Sequence, residues 1–263
     1  MYLLLSPAKN LNEQDPAPLP ATGEPALLSA SQKIAKALKT LDAPDIQALM
    51  KVSAKIATLN VARNLAWQVP FGDAGKPAVY LFDGDAYKGL DAYELHADEM
   101  AYLDKRLGIM SGLYGLLKAR DAILPYRLEM GTRLTVGKHK NLYDFWGSSI
   151  TALLNTRLEE AKSDVLVNLA SDEYFKVIES NKVNATIITP KFLDLKNGEY
   201  KIISFYAKRA RGLMTRFCAV NQITCVDELK TFDMENYYFA KEQSTDTEWV
   251  FLRDAPFLSL IHI

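Results

Sequence analysis

The 263-residue sequence has few of the side chains from which metal and redox sites are built. It contains two cysteines and three histidines. Cys218 and Cys225 stand on or beside one predicted helix, and a lone pair at this spacing without a histidine cluster is a poor zinc signature. We therefore expect both cysteines to be reduced packing residues, and we expect no metal and no other cofactor.

Long apolar segments are also absent. The apolar start of the chain, residues 1–5, stops at Ser6 and Pro7, and it is too short for a signal peptide or a membrane span. We therefore expect a cytoplasmic protein that makes no membrane contact.

Neither sign of charge is in excess. The chain has 31 basic and 32 acidic residues, a formal net charge of −1, and 49% hydrophobic residues. This composition is typical of a soluble globular protein with a large core. It excludes a generally basic, histone-like binder, so any contact with nucleic acid must come from a local patch.

One such patch lies in residues 201–225, which carry five cations and no acid. Alternation of side chains predicts a strand through Ala207, after which the apolar period changes to that of a helix. The cations should therefore leave one sheet edge together. A solvated helix that keeps the protein soluble is the alternative, although surface helices usually mix both signs of charge. The five cations are Lys201, Lys208, Arg209, Arg211 and Arg216.

A second candidate surface lies at residues 45–60, where Pro44 suits the first turn of a helix that breaks at Lys51. Ser53 fits the N-cap of a second helix, so the segment predicts two short helices joined by a tight hairpin. Backbone N–H groups in the first turn of the second helix can hold a phosphate, and Lys51 and Lys55 add positive charge. The Gly-x-Gly hairpin that identifies a helix-hairpin-helix is missing, so a plain αα-corner is at least as compatible with the spacing. Such a corner would pack through Ile46, Leu49, Ile56 and Leu59.

Strand and helix patterns are intermixed along the chain, which predicts an α+β fold with a single domain around one mixed β-sheet. We expect this domain to cover residues 1–257. Residues 258–263 match a peptide that a common sequencing adapter encodes, so we treat them as a non-native tail. Predicted strands cover residues 2–5, 78–82, 107–111, 165–170, 187–195, 200–207, 237–240 and 249–252, and predicted helices cover residues 26–41, 97–106 and 145–162.

Polar side chains follow several predicted strands, at positions where α/β sites are commonly built. Other roles stay open for some of them. Asp83 and Asp85 could bind a cation or cap the following helix, and the cap is favoured. Arg127 is expected to pair with Glu129 on a half-buried strand. No nucleophile and base have a recognisable spacing, and no phosphate loop is present, so catalytic residues stay unknown. The possible cleft consists of Ser6, Lys9, Ser111, Tyr114, Arg127, Ser171 and Asp172, with Asp85, Tyr87 and Lys208 also at strand ends.

Eight short sequence motifs are distributed along the chain. They are SPAKNLN, LMKVSAKIATLN, GDAYKGLDA, SGLYGLL, PYRLEMGTRL, NLYDFWG, VLVNLASDEYF and FYAKRARGLM. Together they resemble the YaaA family of bacterial peroxide-stress proteins, over residues 1–253. The resemblance implies a cytoplasmic protein of the oxidative-stress response with a fold of the family's own type. It also implies binding of duplex and branched DNA, without sequence preference, through a positive cleft and a helix-hairpin-helix.

By position, the helix-hairpin-helix of this family would fall on residues 45–60. The function that the resemblance implies is protection of DNA, or assistance in its repair, under peroxide stress. Two alternatives stay open: an enzyme that acts on a nucleic-acid or nucleotide-like substrate, and a protein that limits free iron. The lack of a Cys, His and carboxylate ligand set argues against direct iron binding. The oligomeric state is not predicted. The implied DNA-binding residues are Lys51, Ser53, Lys55, Lys208, Arg209, Arg211 and Arg216.

Overall fold

An eight-stranded mixed sheet forms the centre of the protein, which the computed structural model describes over residues 1–255. The strands are β1 (Tyr2–Leu5), β2 (Asn10–Leu11), β3 (Lys76–Pro77), β4 (Phe82–Asp83), β5 (Leu107–Ser111), β6 (Gly115–Lys118), β7 (Ala122–Ile123), β8 (Val165–Leu169), β9 (Thr186–Lys196), β10 (Glu199–Lys201), β11 (Tyr238–Phe239) and β12 (Glu248–Arg253). The order in the sheet is β11-β12-β9-β8-β1-β5-β6, with β10 paired to β9 beside this path. β2 with β4, and β3 with β7, form two small antiparallel pairs.

The helices are interspersed among these strands along the chain. They are α1 (Leu28–Leu38), α2 (Ala43–Met50), α3 (Ala54–Ala66), α4 (Ala78–Leu81), α5 (Asp85–Leu90), α6 (Ala97–Arg106), α7 (Leu142–Trp146), α8 (Ser149–Glu160), α9 (Asp172–Phe175) and α10 (Ser204–Val220). The predicted α+β class and mixed sheet are therefore confirmed. Among the helices of residues 1–255, none is both long enough and apolar enough to cross a membrane.

Every residue of β1 is buried, and the relative exposure of Leu3, Leu4 and Leu5 is 0%. It runs parallel to β5 on one side and to β8 on the other. After β1 the chain adds β5 and β6 on one side of β1. It later adds β8 and then β9 on the other side of β1. The direction of winding therefore changes between β1 and β8, and the crevice at the carboxyl ends of these two strands is a topological switch point.

Several predicted boundaries agree with the structure. α6 and β5 have the predicted limits, and β8 is one residue shorter than predicted. The hairpin between β9 and β10 turns at Asn197 and Gly198, both at positive φ, as an Asn-Gly two-residue turn requires. The last predicted hairpin is also present, because β11 and β12 pair antiparallel.

The predicted strand through Ala207 is wrong. β10 ends at Lys201, and α10 begins at Ser204. Ala207 is buried on the same helical stripe as Ala210 and Met214, so packing against the core selects the helix over the alternation of the preceding residues.

Two other predicted elements differ from the structure. Residues 78–81 form the helical turn α4 rather than a strand, and all four of them are buried. A short apolar run that is buried on every side has no period that separates a strand from a helix. The single helix predicted over residues 145–162 is interrupted between α7 and α8, where Gly147 has a φ of +47°.

Smaller predictions also fail. Gly84, not Asp83 or Asp85, is the N-cap of α5, and within residues 1–255 no side chain makes a capping hydrogen bond to this helix. Arg127 lies outside the described strands, although its ion pair with Glu129 is present at 3.3 Å. Both cysteines are free, as predicted, but only Cys218 is buried while Cys225 is exposed. The predicted tail, residues 258–263, lies outside the described residues.

Candidate functional site

A concave site lies at the switch point between β1 and β8, and its cavity has a volume of about 340 Å³. Its walls come from the loops that follow the two strands, from the start of α5 and from one face of α10. We call it the switch-point cleft. Of the residues singled out from the sequence, it brings together Ser6, Lys9, Asp85, Tyr87, Ser171, Lys208 and Arg211.

Hydrogen bonds hold the floor of the switch-point cleft in place. The backbone N–H of Ser171 donates to Ser6 Oγ at 2.9 Å, and the Ser6 hydroxyl donates to Ser171 Oγ at 3.4 Å. The Tyr87 hydroxyl donates to the carbonyl of Ser6 at 3.1 Å. Burial raises the pKa of Tyr87 and of Tyr174, which also lines the cleft, well above the ordinary value, so both phenols stay protonated.

Two glycines position α10 beside the cleft. A Cβ added to Gly212 would lie 1.7 Å from the carbonyl oxygen of Ala86, and one added to Gly89 would lie 2.2 Å from the carbonyl oxygen of Arg209. The backbones of α5 and α10 therefore touch, which is possible only where both positions lack a side chain. This contact places the start of α5 opposite Lys208 and Arg211.

Lys208 and Arg211 are three residues apart and share one face of α10. Among residues 1–255, neither side chain has a hydrogen-bond acceptor or an ion-pair partner. Lys208 is exposed, whereas Arg211 is half-buried, and burial lowers the pKa of its guanidinium, with Asp172 opposing the shift. A cation that loses water without gaining a partner is unfavourable, so Arg211 is prepared to accept an anion.

The remaining charges of the cleft are of both signs. Lys9 pairs with Glu129 at 3.0 Å, and Glu173 accepts a hydrogen bond from the backbone N–H of Gly131 at 2.9 Å. The carboxylates of Asp83 and Asp85 accept no hydrogen bond from the part of the chain that the structure describes. The cleft thus offers donors on α10 and acceptors at the start of α5.

Four residues of the possible cleft do not line the switch-point cleft. Ser111 and Tyr114 are buried: Ser111 Oγ lies 2.6 Å from the Tyr126 hydroxyl, and the Trp67 indole N–H donates to the Tyr114 hydroxyl at 2.9 Å. Arg127 is tied to Glu129. Asp172 is exposed and acts on the cleft only through its charge on Arg211.

Two cations of the basic segment are bound inside the fold. Arg209 Nε donates to Glu235 at 2.7 Å, and Arg216 donates to the carbonyl oxygen of Asp91 at 2.8 Å. Glu235 also meets Arg253, which is 2% exposed and donates to Asp194 at 2.6 Å. Arg209 is thus the outer end of a buried charge network.

The α2–α3 corner forms as a local unit. Asp42 and Asp45 make a reciprocal capping box at the start of α2, and Lys51 ends the helix in the left-handed region with a φ of 52°. Ser53 is the N-cap of α3 as predicted, and its hydroxyl accepts the backbone N–H of Ile56 at 3.4 Å. Lys51 and Lys55 are exposed and have no ion-pair partner among residues 1–255.

The packing expected of a plain αα-corner is only partly present. Ile46 is completely buried and Leu49 and Ile56 are half-buried, but Leu59 is 48% exposed.

Sequence reasoning did not place Asp83, Lys88, Glu173 or Tyr174 in the cleft, although all of them line it. Helical spacing could have found one of them, because Tyr174 follows Ser171 by three residues and lies on the same side of α9. Asp83 depends on the β2–β4 pair, which is too short to leave a pattern. In residues 1–255 there is no group of three or more His, Cys, Asp or Glu side chains that could hold a metal ion.

Comparison with known proteins shows similarity along nearly the whole chain. The family described as peroxide stress protein YaaA matches residues 1–243. A UPF0246 protein of Psychrobacter cryohalolentis is 48% identical over 262 residues, with 97% of this chain and 98% of that protein covered. UPF0246 proteins of Neisseria meningitidis serogroup A and of Neisseria gonorrhoeae are each 52% identical over 254 residues, with 96% of this chain and 98% of each relative covered.

Proposed function

The chain belongs to the family of the peroxide stress protein YaaA, and from this premise we propose that it binds the phosphate backbone of duplex and branched DNA without sequence preference. Such binding would protect DNA, or assist its repair, when peroxide is present.

The α2–α3 corner carries this proposal. Lys51 and Lys55 are exposed and have no carboxylate partner in the described residues, so their charge is available to a ligand. The first N–H groups of α3 have no acceptor inside the helix, and Ser53 satisfies only that of Ile56. A phosphate placed there meets backbone donors and two ammonium groups together, which favours an anion at a helix start. Contacts of this kind are independent of base sequence.

The basic segment contributes less than its composition predicts. Arg209 and Arg216 already donate to groups of this protein, so a contact with DNA would have to break existing hydrogen bonds. Lys208 is exposed and unpaired among residues 1–255, but it lines the switch-point cleft, which no residue of the α2–α3 corner lines.

Salt dependence is the first test. With about three neutralised phosphates, the logarithm of the affinity for duplex DNA should fall against the logarithm of the salt concentration with a slope of roughly −3. A flat response in a fluorescence-anisotropy titration would contradict an electrostatic contact.

Charge reversal at the corner is the second test. Lys51→Glu with Lys55→Glu should weaken DNA binding and reduce the slope, because attraction becomes repulsion. Lys33→Glu with Lys36→Glu changes the net charge equally on exposed positions of α1 and is the matched control. Equal loss of affinity in the two double variants would exclude the corner as the contact surface.

A further inference from the structure

The switch-point cleft is not used by the proposed DNA contact, since no residue of the α2–α3 corner lines it. It nevertheless occupies the place where open sheets with parallel strands bind ligands, outside the carboxyl ends of two strands between which the winding reverses. Its volume of about 340 Å³ is at the lower end of the range for small-molecule sites.

Several donors of the cleft have no acceptor among residues 1–255. One is the Lys88 ammonium group on α5. Others are the Arg211 guanidinium, the Lys208 ammonium group and the Ser171 hydroxyl, whose oxygen is already approached by the Ser6 hydroxyl. Arg211 is the most informative, because it is half-buried and cannot recover its lost hydration from a protein group. The donors of Arg211, Lys208 and Ser171 together indicate an anion-binding site.

The acceptors of the cleft lie at the start of α5. The carboxylates of Asp83 and Asp85 line the same cavity and accept no hydrogen bond from the described chain. A ligand that reaches from α10 to α5 would therefore meet cations at one end and anions at the other. Such a ligand needs a negative group and a positive or hydrogen-bond-donating group.

The charge balance argues against DNA as the occupant. Four basic and four acidic side chains line the cleft, so a polyanion gains no net attraction there. They are Lys9, Lys88, Lys208 and Arg211 against Asp83, Asp85, Glu129 and Glu173.

We propose that the switch-point cleft binds a small phosphate monoester that also carries an amine, with the phosphate at Arg211, Lys208 and Ser171 and the amine at Asp83 and Asp85. A phosphate monoester has a charge of about −1.5 to −2 near neutral pH, which matches two cations better than one carboxylate would. Arg211 supplies the planar donor pair that phosphate oxygens accept.

Titration with aminoalkyl phosphates tests the site. Isothermal titration calorimetry would measure the binding of 2-aminoethyl, 4-aminobutyl and 6-aminohexyl phosphate to the full-length protein, with ethyl phosphate and β-alanine as comparison probes. At least one aminoalkyl phosphate should bind saturably, and it should bind more tightly than ethyl phosphate and β-alanine. If none of the aminoalkyl phosphates binds saturably at concentrations up to about 10 mM, the affinity is too weak for a specific site and the proposal is overturned.

Variants separate the two ends of the ligand. Arg211→Gln should weaken every phosphate probe about tenfold or more, because a charge-assisted hydrogen bond is lost. Asp83→Asn with Asp85→Asn should leave ethyl phosphate unchanged and remove the preference for the amine-bearing probes. Lys33→Gln, on an exposed face of α1, is the control and should change nothing.

Equal affinity of the wild-type protein and a folded Arg211→Gln variant would overturn the phosphate assignment. If that variant does not fold, Lys208→Gln at an exposed position is tested by the same criterion. Tighter binding of β-alanine than of all phosphates would also overturn it, in favour of a carboxylate ligand. DNA affinity measured on the same variants distinguishes failure of this proposal from failure of DNA binding, since the two use different surfaces.

Discussion

Ser6 and Ser171 are 165 positions apart in the chain, and the backbone N–H of Ser171 donates to the side-chain oxygen of Ser6 at 2.9 Å. Ser6 directly follows the last residue of β1, and Ser171 lies two positions after the last residue of β8. Their bond therefore joins the two loops from which one wall of the switch-point cleft is built.

Removal of this bond should lower the stability of the protein. Ser6→Ala leaves the Ser171 N–H without its acceptor, and we expect the free energy of unfolding to fall by about 1 kcal/mol, because the site is only partly buried. Urea denaturation measures the change. Ser180→Ala, at an exposed serine whose side chain makes no hydrogen bond within residues 1–255, should change stability by less than about 0.5 kcal/mol. Equal effects of the two substitutions would contradict the bond's contribution.

The glycine contact between α5 and α10 predicts a larger effect. A methyl group at Gly212 would overlap the carbonyl oxygen of Ala86, so Gly212→Ala should lower the free energy of unfolding by about 3 kcal/mol. Gly23→Ala is the matched control, because the nearest atom to its added Cβ would be at 3.8 Å and its φ lies outside the positive range. A Gly212→Ala protein as stable as the control would show that the two helices can separate without cost.

Substitutions in the buried charge network around Arg253 should have strongly non-additive effects on the free energy of unfolding. Arg253→Met leaves the carboxylate of Asp194, which is 2% exposed, without its cation, and should cost about 3–5 kcal/mol. Adding Asp194→Asn removes the buried charge while keeping an acceptor for the Tyr237 hydroxyl, so the double variant should be more stable than Arg253→Met alone. A denaturation cycle of the four proteins gives the coupling, and simple addition of the two single costs would refute it.

The carboxyl group of Asp121 should make the protein less stable as pH rises, which is the opposite of the usual effect of an aspartate. Burial raises the pKa of its carboxyl from 3.8 to about 6 in the folded protein, although the backbone N–H of Lys118 donates to it. Between pH 4 and 6 the folded state therefore binds this proton more strongly than the unfolded state does, and the contribution of Asp121 to the free energy of unfolding falls as pH rises.

The comparison with Asp121→Asn isolates this contribution, because other carboxyl groups act equally in both proteins. The stability of the wild type relative to this variant should decrease from pH 4 to 6, by at most about 3 kcal/mol, and stay constant above pH 7. Urea denaturation at several pH values measures the difference. A relative stability that increases over this range would show that the carboxyl is not desolvated.

Elements with strong local signals could be predicted from the sequence. Asn197 and Gly198 mark a two-residue hairpin because few other residues accept two successive positive φ angles. Ser53 as an N-cap is similarly local, since it requires only a hydroxyl three residues before a backbone N–H. The corner and the hairpin were therefore predictable without knowledge of the rest of the fold.

Elements that depend on distant partners could not be predicted. Residues 202–207 alternate as a strand would, but the core selects a helix through Ala207 and the residues that follow it. The same limit applies to the site. The ends of predicted strands indicated Ser6 and Ser171. Arg209 and Arg211, however, are two positions apart and differ in role, because of these two only Arg209 contacts Glu235. Sequence spacing contains no information about that carboxylate, which comes from a segment 26 residues away.

The close approach of α5 and α10 at Gly89 and Gly212 has a consequence for selectivity. Backbone atoms, rather than side chains, set the separation of α5 and α10, and main-chain atoms in regular helices cannot change rotamer. The width between these walls is therefore constant on the timescale of side-chain motion, and only long side chains such as Lys208 adjust to an occupant. We therefore expect the cleft to select ligands by their width and to accommodate differences in ligand length through movement of long side chains.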